Sequence, residues 1–258
     1  MYFCKDIIAW VENIAPMETA EPWDHVGLMV GSPESRLTGV VLALDCTGGV
    51  INKCLEIGAN MILTHHPLFF PSISCINKDT PHGKMIADLI ENQITVYSSH
   101  TNLDRAKNGV NDALCESIGL HIFTPFFENS IERIGEWNQS HSLFSQVRKM
   151  QTILDSPGFF INTDKDRKIT TALVCGGAFD EEIIPRLIDK KPDMIISGEI
   201  KHHHMLELAE YQIAAVAMGH DATERVILPK LKRLLQADFS DIKLEIVNGL
   251  DYNKVVLI

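Results

Sequence analysis

The chain has 258 residues, 45% of them hydrophobic and 22% charged, and carries a formal net charge of -11 at pH 7. These values suit a folded protein of one large or two modest domains, and they disfavour a nucleic-acid footprint, which depends on Lys and Arg set against phosphate. An anionic substrate therefore needs a local positive centre. Cys4, Cys46, Cys54, Cys75, Cys115 and Cys175 are scattered, with no Cys-x-x-Cys pair, so neither a thiolate zinc site nor a disulfide framework is indicated.

Residues 1–20 place Phe3, Ile7, Ile8, Val11 and Ile14 at helical spacing among charged neighbours, which predicts an amphipathic helix. The stretch lacks the basic flank and apolar core of a signal peptide, and no run is long enough to span a bilayer, so the expected location is cytoplasmic with no membrane contact. Glu21 to Leu28 reads as a loop entering a short strand, because Pro22 and Gly27 break a helix. Trp23, Asp24 and His25 can line a pocket there. Equally, Trp23 can anchor the loop while Asp24 and His25 lie in solvent. Val40 to Asp45 is a predicted strand and Gly48 to Ile57 a helix that Gly58 ends. The next strand, Ala59 to Thr64, runs into His65-His66-Pro67. A loop over Phe69 to Asp79, a helix over Gly83 to Asn92 and a strand over Ile94 to Ser98 lead to His100-Thr101-Asn102-Leu103-Asp104, and another helix follows, ending near Gly119. From Thr124 to Lys168 the pattern is less regular, but its aromatic residues point to strands and core contacts. Arg225 to Leu235 is helical, and Leu244 to Val247 and Lys254 to Ile258 are closing strands.

Self-comparison reveals a repeat. Val41 to Cys46, a helix, and Asn60 to Leu63 match Ala172 to Gly177, a helix, and Asp193 to Ile196. His65-His66 has an echo a few residues late in His202-His203-His204. Gln93-Ile94-Thr95-Val96 before His100 is echoed by Gln212 to Val216 before His220. The expectation is an α/β protein with two similar halves, over 1–125 and 126–258, the closing strands being free to return to the first. In such sheets ligands gather at the carboxyl ends of strands, where both histidine sets fall.

His100 and Asp104, like His220 and Glu224, are four residues apart, a spacing that brings two side chains onto one face of a helix turn. With His65 and His66 they offer imidazoles and carboxylates and no sulfur. That set suits zinc, iron, manganese or cobalt, and its size suits two divalent metal ions. Two such cations outweigh Asp104 and Glu224 and would attract phosphate; they would also activate a water, so hydrolysis is the natural reaction class. Lys201 can bind substrate phosphate, and Glu199, His202 and His203 can move protons. A helix start with solvated charges accounts for the same cluster. Gly176-Gly177 is either an anion cradle or a tight turn.

Five motifs together carry a family resemblance. They are Trp23-Asp24-His25-Val26-Gly27-Leu28, Thr64-His65-His66-Pro67, His100 to Asp104 with Gly109-Val110-Asn111-Asp112, Ser197-Gly198-Glu199-Ile200-Lys201-His202-His203, and Gly219-His220-Asp221-Ala222-Thr223-Glu224. In order and over nearly the whole chain they resemble the Nif-three-like dinuclear metal centre family, whose bacterial members are often labelled GTP cyclohydrolase I type 2 homologues. The resemblance implies two interlinked α/β domains with a dinuclear metal site between them, and a toroidal homohexamer, a trimer of dimers. Its metal ligands fall on His65, His66, Asp104, His220 and Glu224, with His100 close by. Some relatives carry an inserted domain for which this chain is too short. The chain departs at His25, where the family usually has Asn, and at Ser197, where Thr is common. The implied function is a metal-dependent hydrolase of a nucleotide or related phosphorylated compound, GTP cyclohydrolase-like, with Trp23, Asp24 and Lys201 on the substrate and Glu199, His202 and His203 handling protons. The alternative is a non-catalytic hexameric metal-binding protein that controls a partner.

Overall fold

The computed structural model describes residues 1–249. Its described residues form two units, one comprising residues 1–107 and 228–249, the other Asn108–Ile227. The expected strand over Lys254 to Ile258 lies outside the described residues.

In the first unit α1 (Cys4–Ile14) buries Cys4, Ile7 and Val11, so the amphipathic spacing finds its core. Then come β1 (Gly27–Val30), β2 (Val40–Ala43), α2 (Gly48–Glu56), β3 (Met61–Thr64), α3 (Pro81–Glu91), β4 (Thr95–Ser98) and the short α4 (Thr101–Arg105). β2, β3 and β4 are parallel neighbours buried at every residue, as apolar runs covered on both faces must be. Alternation splits them. Val41, Ala43, Ile62 and Val96 pack against Val50, Ile51 and Cys54 of α2 and Leu89 of α3, and on β4 the Tyr97 hydroxyl donates to Glu12 of α1 at 3.0 Å. α2 begins where Thr47 Oγ1 accepts from the Val50 amide, and α3 where Thr80 Oγ1 accepts from Gly83 with Pro81 in the first turn.

The second unit holds α5 (Val110–Ser117), β5 (Ile122–Pro125), β6 (Arg133–Ser142), α6 (Leu143–Ile153), β7 (Phe160–Ile161), β8 (Lys168–Ala178), β9 (Met194–Glu199), α7 (His202–Glu210), β10 (Ala214–Ala217) and α8 (His220–Glu224). Its sheet runs β5-β6-β8-β9-β10-β7, with β8, β9 and β10 parallel. Ala172, Val174, Met194 and Ile196 face α5 and α6, while Leu173, Ile195 and Ala215 face a 3-10 helix at Glu181–Ile188 and α7. Finally α9 (Ile227–Asp238) leads to β11 (Leu244–Ile246), which pairs in parallel with β2 and completes the order β1-β4-β3-β2-β11.

The repeat extends to the hydrogen bonds. Gln93 and Gln212 both adopt left-handed backbone, with φ 56° and 58°. Their amides donate to Ile90 and Ala209, and the next amides donate to Leu89 and Leu208, so α3 and α7 end alike. β4 and β10 each carry an antiparallel partner on the outer side, β1 and β7, that precedes the parallel set in sequence.

Three sequence expectations change. The division falls after Lys107 and not at 125/126, because α5 packs on β8 and β5 pairs with β6. The helix joining the first two repeat strands of the second unit is 3-10, with Pro185 inside it unable to donate an α-helical hydrogen bond. The irregular middle contains a full helix, α6, started by Ser142 Oγ accepting from the Ser145 amide. No helix among the described residues is long and apolar enough to cross a membrane.

Candidate metal centre

In the first unit, three parallel strands deliver their carboxyl ends side by side. Asp45 follows β2, His65 and His66 follow β3, and His100 follows β4. One nitrogen from each of His65, His66 and His100 lies within 4.8 Å of the others. The rings stand 5.0 to 5.6 Å apart by centroid. Each Nδ1 faces an acceptor: the Ser99 carbonyl for His65 at 3.0 Å, Asp45 Oδ1 for His66 at 2.8 Å, and Asp24 Oδ1 for His100 at 3.0 Å. A carbonyl or carboxylate can only accept, so each Nδ1 must be the donor. In a neutral ring the lone pair is then on Nε2 in all three. Asp104 of α4 brings Oδ1 to 3.5 Å from His65 Nε2, with both side chains nearly buried.

Asp24 is the hub of this arrangement. Its Oδ1 takes the His100 ring and the His25 amide, and its Oδ2 takes the amide and hydroxyl of Thr101. Burial raises its pKa, but the hydrogen bonds from His100 and Thr101 and the adjacent ring outweigh that and hold the carboxyl well below the usual range. Asp24 was expected on the substrate; here both oxygens are committed to holding His100 and starting α4. Trp23 beside it is 60% exposed, edge-on to the His100 ring at 6.1 Å. Asn102, fully buried, fixes the same turn by accepting from the His100 amide and donating to the Ala15 carbonyl.

In the second unit, His220 opens α8 and Glu224 follows one turn on, its Oε1 3.2 Å from His220 Nε2. His220 Nδ1 lies 3.4 Å from Glu199 Oε1 at the end of β9. Glu224 is buried while His220 is partly open. Gly177, with φ +65°, leaves the space they use, because a Cβ there would collide with Glu224 Oε1 and come within 3.2 Å of His220 Nε2. The amides of Gly176 and Gly177 donate to Asn111 Oδ1 and Thr223 Oγ1, at 2.7 and 3.0 Å. The glycine pair is therefore not an anion cradle; it makes room for Glu224.

Two details of the repeat need correcting. Thr64 and Ser197 accept from equivalent amides, those of Ser99 and Met218, so the counterparts of His65-His66 are Gly198-Glu199. His202-His203-His204 instead open α7, with His202 and His203 exposed and His204 buried near Glu181 and Glu207. Lys201 pairs with Glu181 at 2.6 Å on the surface. The two His-x-x-x-acid pairs are also one residue out of step: His100 is the cap residue before α4, whereas His220 is the first residue of α8. Asn102, Asn111 and Thr223 stand in the sequence motifs and Asp45 at a strand end, but the sequence does not show what each of them supports. Asp45 carried the one usable signal, an acid at the carboxyl end of the first repeat strand.

The donor chemistry fits divalent metal. Imidazoles fixed through one nitrogen with the other turned inward, beside a buried carboxylate, are the arrangement ligating histidines need. The residues able to hold it are His65, His66, His100 and Asp104 in the first unit and His220 and Glu224 in the second.

Similarity to known proteins bears on this geometry. The family model for Duf34/NIF3 (NGG1p interacting factor 3) matches residues 3–250. A Clostridium acetobutylicum protein named GTP cyclohydrolase 1 type 2 homolog is 36% identical over 230 residues, covering 85% of this chain and 84% of its own. Among solved structures, Staphylococcus aureus SA1388 superposes with a TM-score of 0.90 at 24% identity, covering 99% of both chains. Reduced HcgD from Methanocaldococcus jannaschii superposes with a TM-score of 0.81 at 30% identity, covering 97% of this chain and 98% of its own.

Proposed function

This chain belongs to the Duf34/NIF3 family, and from that premise we propose that it is a metal-dependent hydrolase, GTP cyclohydrolase-like, acting on a nucleotide or related phosphorylated compound. The observation that carries the reading is the set of three imidazoles whose Nδ1 atoms all face acceptors while one nitrogen of each converges. Nε2 ligands prepared in this way suit borderline divalent cations. The donor set as a whole is of a size that suits two divalent ions. When bound, two divalent ions supply a water activated for attack near neutral pH and positive charge to offset a substrate phosphate.

The chain's own residues then have separate tasks. Asp24, Asp45 and Ser99 keep the imidazoles in one tautomer and orientation. Asp104 and Glu224 supply negative charge to hold the cations. Glu199, beside His220 Nδ1 and largely exposed, can take a proton there and pass it to solvent. His202, His203 and Lys201, exposed at the start of α7, belong to the same reading as proton carriers and phosphate contact.

Metal analysis of purified protein, combined with a turnover panel of nucleotides and phosphoesters, tests the proposal on material whose assembly is set by sedimentation, six chains being expected. The expected result is two metal ions per chain, hydrolysis of at least one compound, and loss of both metal and turnover in Glu224→Ala. Two metals with no turnover leaves a metal-binding interaction protein. Full turnover by metal-free Glu224→Ala sinks the hydrolase.

A further inference from the structure

We propose that Trp23 and Phe70 form a stacking surface beside the histidine cluster that selects substrates carrying a flat heterocyclic ring. The inference deepens the hydrolase reading and rests on it for the expectation that substrate comes to this cluster. Phe69 and Phe70 are adjacent but behave differently. Phe69 packs against the core cluster of β2, β3 and α2 and lies 5.8 Å from the His82 ring. Phe70 turns to His100, its ring edge-on at 87° with centroids 5.5 Å apart, and stays 49% exposed. Trp23 approaches the same imidazole at 74° and 6.1 Å and is 60% exposed.

His100 thus has two large aromatic rings against it, both with much of their surface in water. Single exposed apolar residues are ordinary, but two exposed aromatics on one candidate metal ligand are not explained by core packing, since neither is buried. An aromatic face beside a polar site is the usual means of holding a nucleobase, because every base has a π-face to stack on. Phosphate alone gains nothing from such rings. The surface therefore favours the base of a nucleotide and distinguishes it from a sugar phosphate.

Calorimetric titration of the purified, metal-containing protein with guanosine monophosphate and with ribose 5-phosphate compares ligands that differ by the base. Wild-type protein should bind the nucleotide more tightly, by between about five-fold and a hundred-fold, the range expected of one stacked base. Trp23→Leu or Phe70→Leu should remove most of that preference while leaving metal content and ribose 5-phosphate binding unchanged, and Phe70→Tyr should retain it. Both positions are exposed, so the variants should fold. Equal binding of the two ligands, binding of neither, or an undiminished preference in both leucine variants overturns the proposal. Preference for the nucleotide without hydrolysis of anything would instead retain the stacking surface and remove the hydrolase. Hydrolysis of phosphoesters with no preference for the base would do the reverse.

Discussion

An imidazole ligates well only if something decides which nitrogen keeps the proton. For His100 that decision is made by Asp24, whose carboxylate also starts α4 through Thr101. Asp24→Ala should therefore weaken metal binding by about 10–100-fold, as losses of such supporting acceptors generally do, measured by competition with a chromophoric chelator. Asp24→Asn, which keeps an oxygen for the ring, should lose less. Equal affinity in wild type and Asp24→Ala would show that His100 needs no such support. The candidate ligands were legible in the sequence because they sit where strands end, at His65-His66 and His100. The support was not: Asp24 and His100 come together only through tertiary structure, and a Trp-Asp-His run in a loop has no periodicity from which a partner can be read. Asp45 was visible as the end of a strand, yet nothing local ties it to His66.

Among the elements, the end of β8 does the most for the second set of donors. Gly177 combines left-handed backbone with a close approach by Glu224. Gly177→Ala should cost about 1–3 kcal/mol from strained backbone and the displaced carboxylate, read from urea unfolding. The same variant should bind metal more weakly than wild type. Unchanged stability and metal content would mean that the carboxylate moves aside freely. From sequence, a glycine pair after a strand signals a turn, and a turn and a vacated volume look alike until the neighbour is known. α6 was missed for a different reason. Leu143, Val147, Met150 and Leu154, all buried, have helical spacing, but the surrounding Phe and Trp residues suit strands equally well. The one-residue offset between α4 and α8 is invisible in a pattern of fours, since each pair keeps its own spacing.

For the molecule as a whole, the repeat was the most legible feature, because it is written in apolar runs and turn residues that survive divergence, down to Gln93 and Gln212. The boundary between units was not, because α5 and β5 continue the first half's rhythm while pairing with the second sheet. The scattered cysteines pointed to no thiolate zinc site and no disulfide framework, and the structure separates them by burial. Cys4, Cys46, Cys54, Cys115 and Cys175 are buried and Cys75 is exposed. Burial pushes the Cys46 thiol up to about 12 and Cys54 to about 11, so neither supplies thiolate at mild alkaline pH. A thiol reagent at pH 8 should label one cysteine per native chain rapidly, and six after unfolding. Fast labelling of more than one, or its persistence in Cys75→Ser, would contradict this burial. The pairing of β11 with β2 has a further consequence, for the moment of synthesis. Val40 waits for Leu244, so a ribosome has made every described strand of the second unit's sheet before the first unit receives β11. During that interval the nascent chain presents β2 as an open edge, the condition in which strands recruit neighbours from other chains. The half made first is the half that closes last.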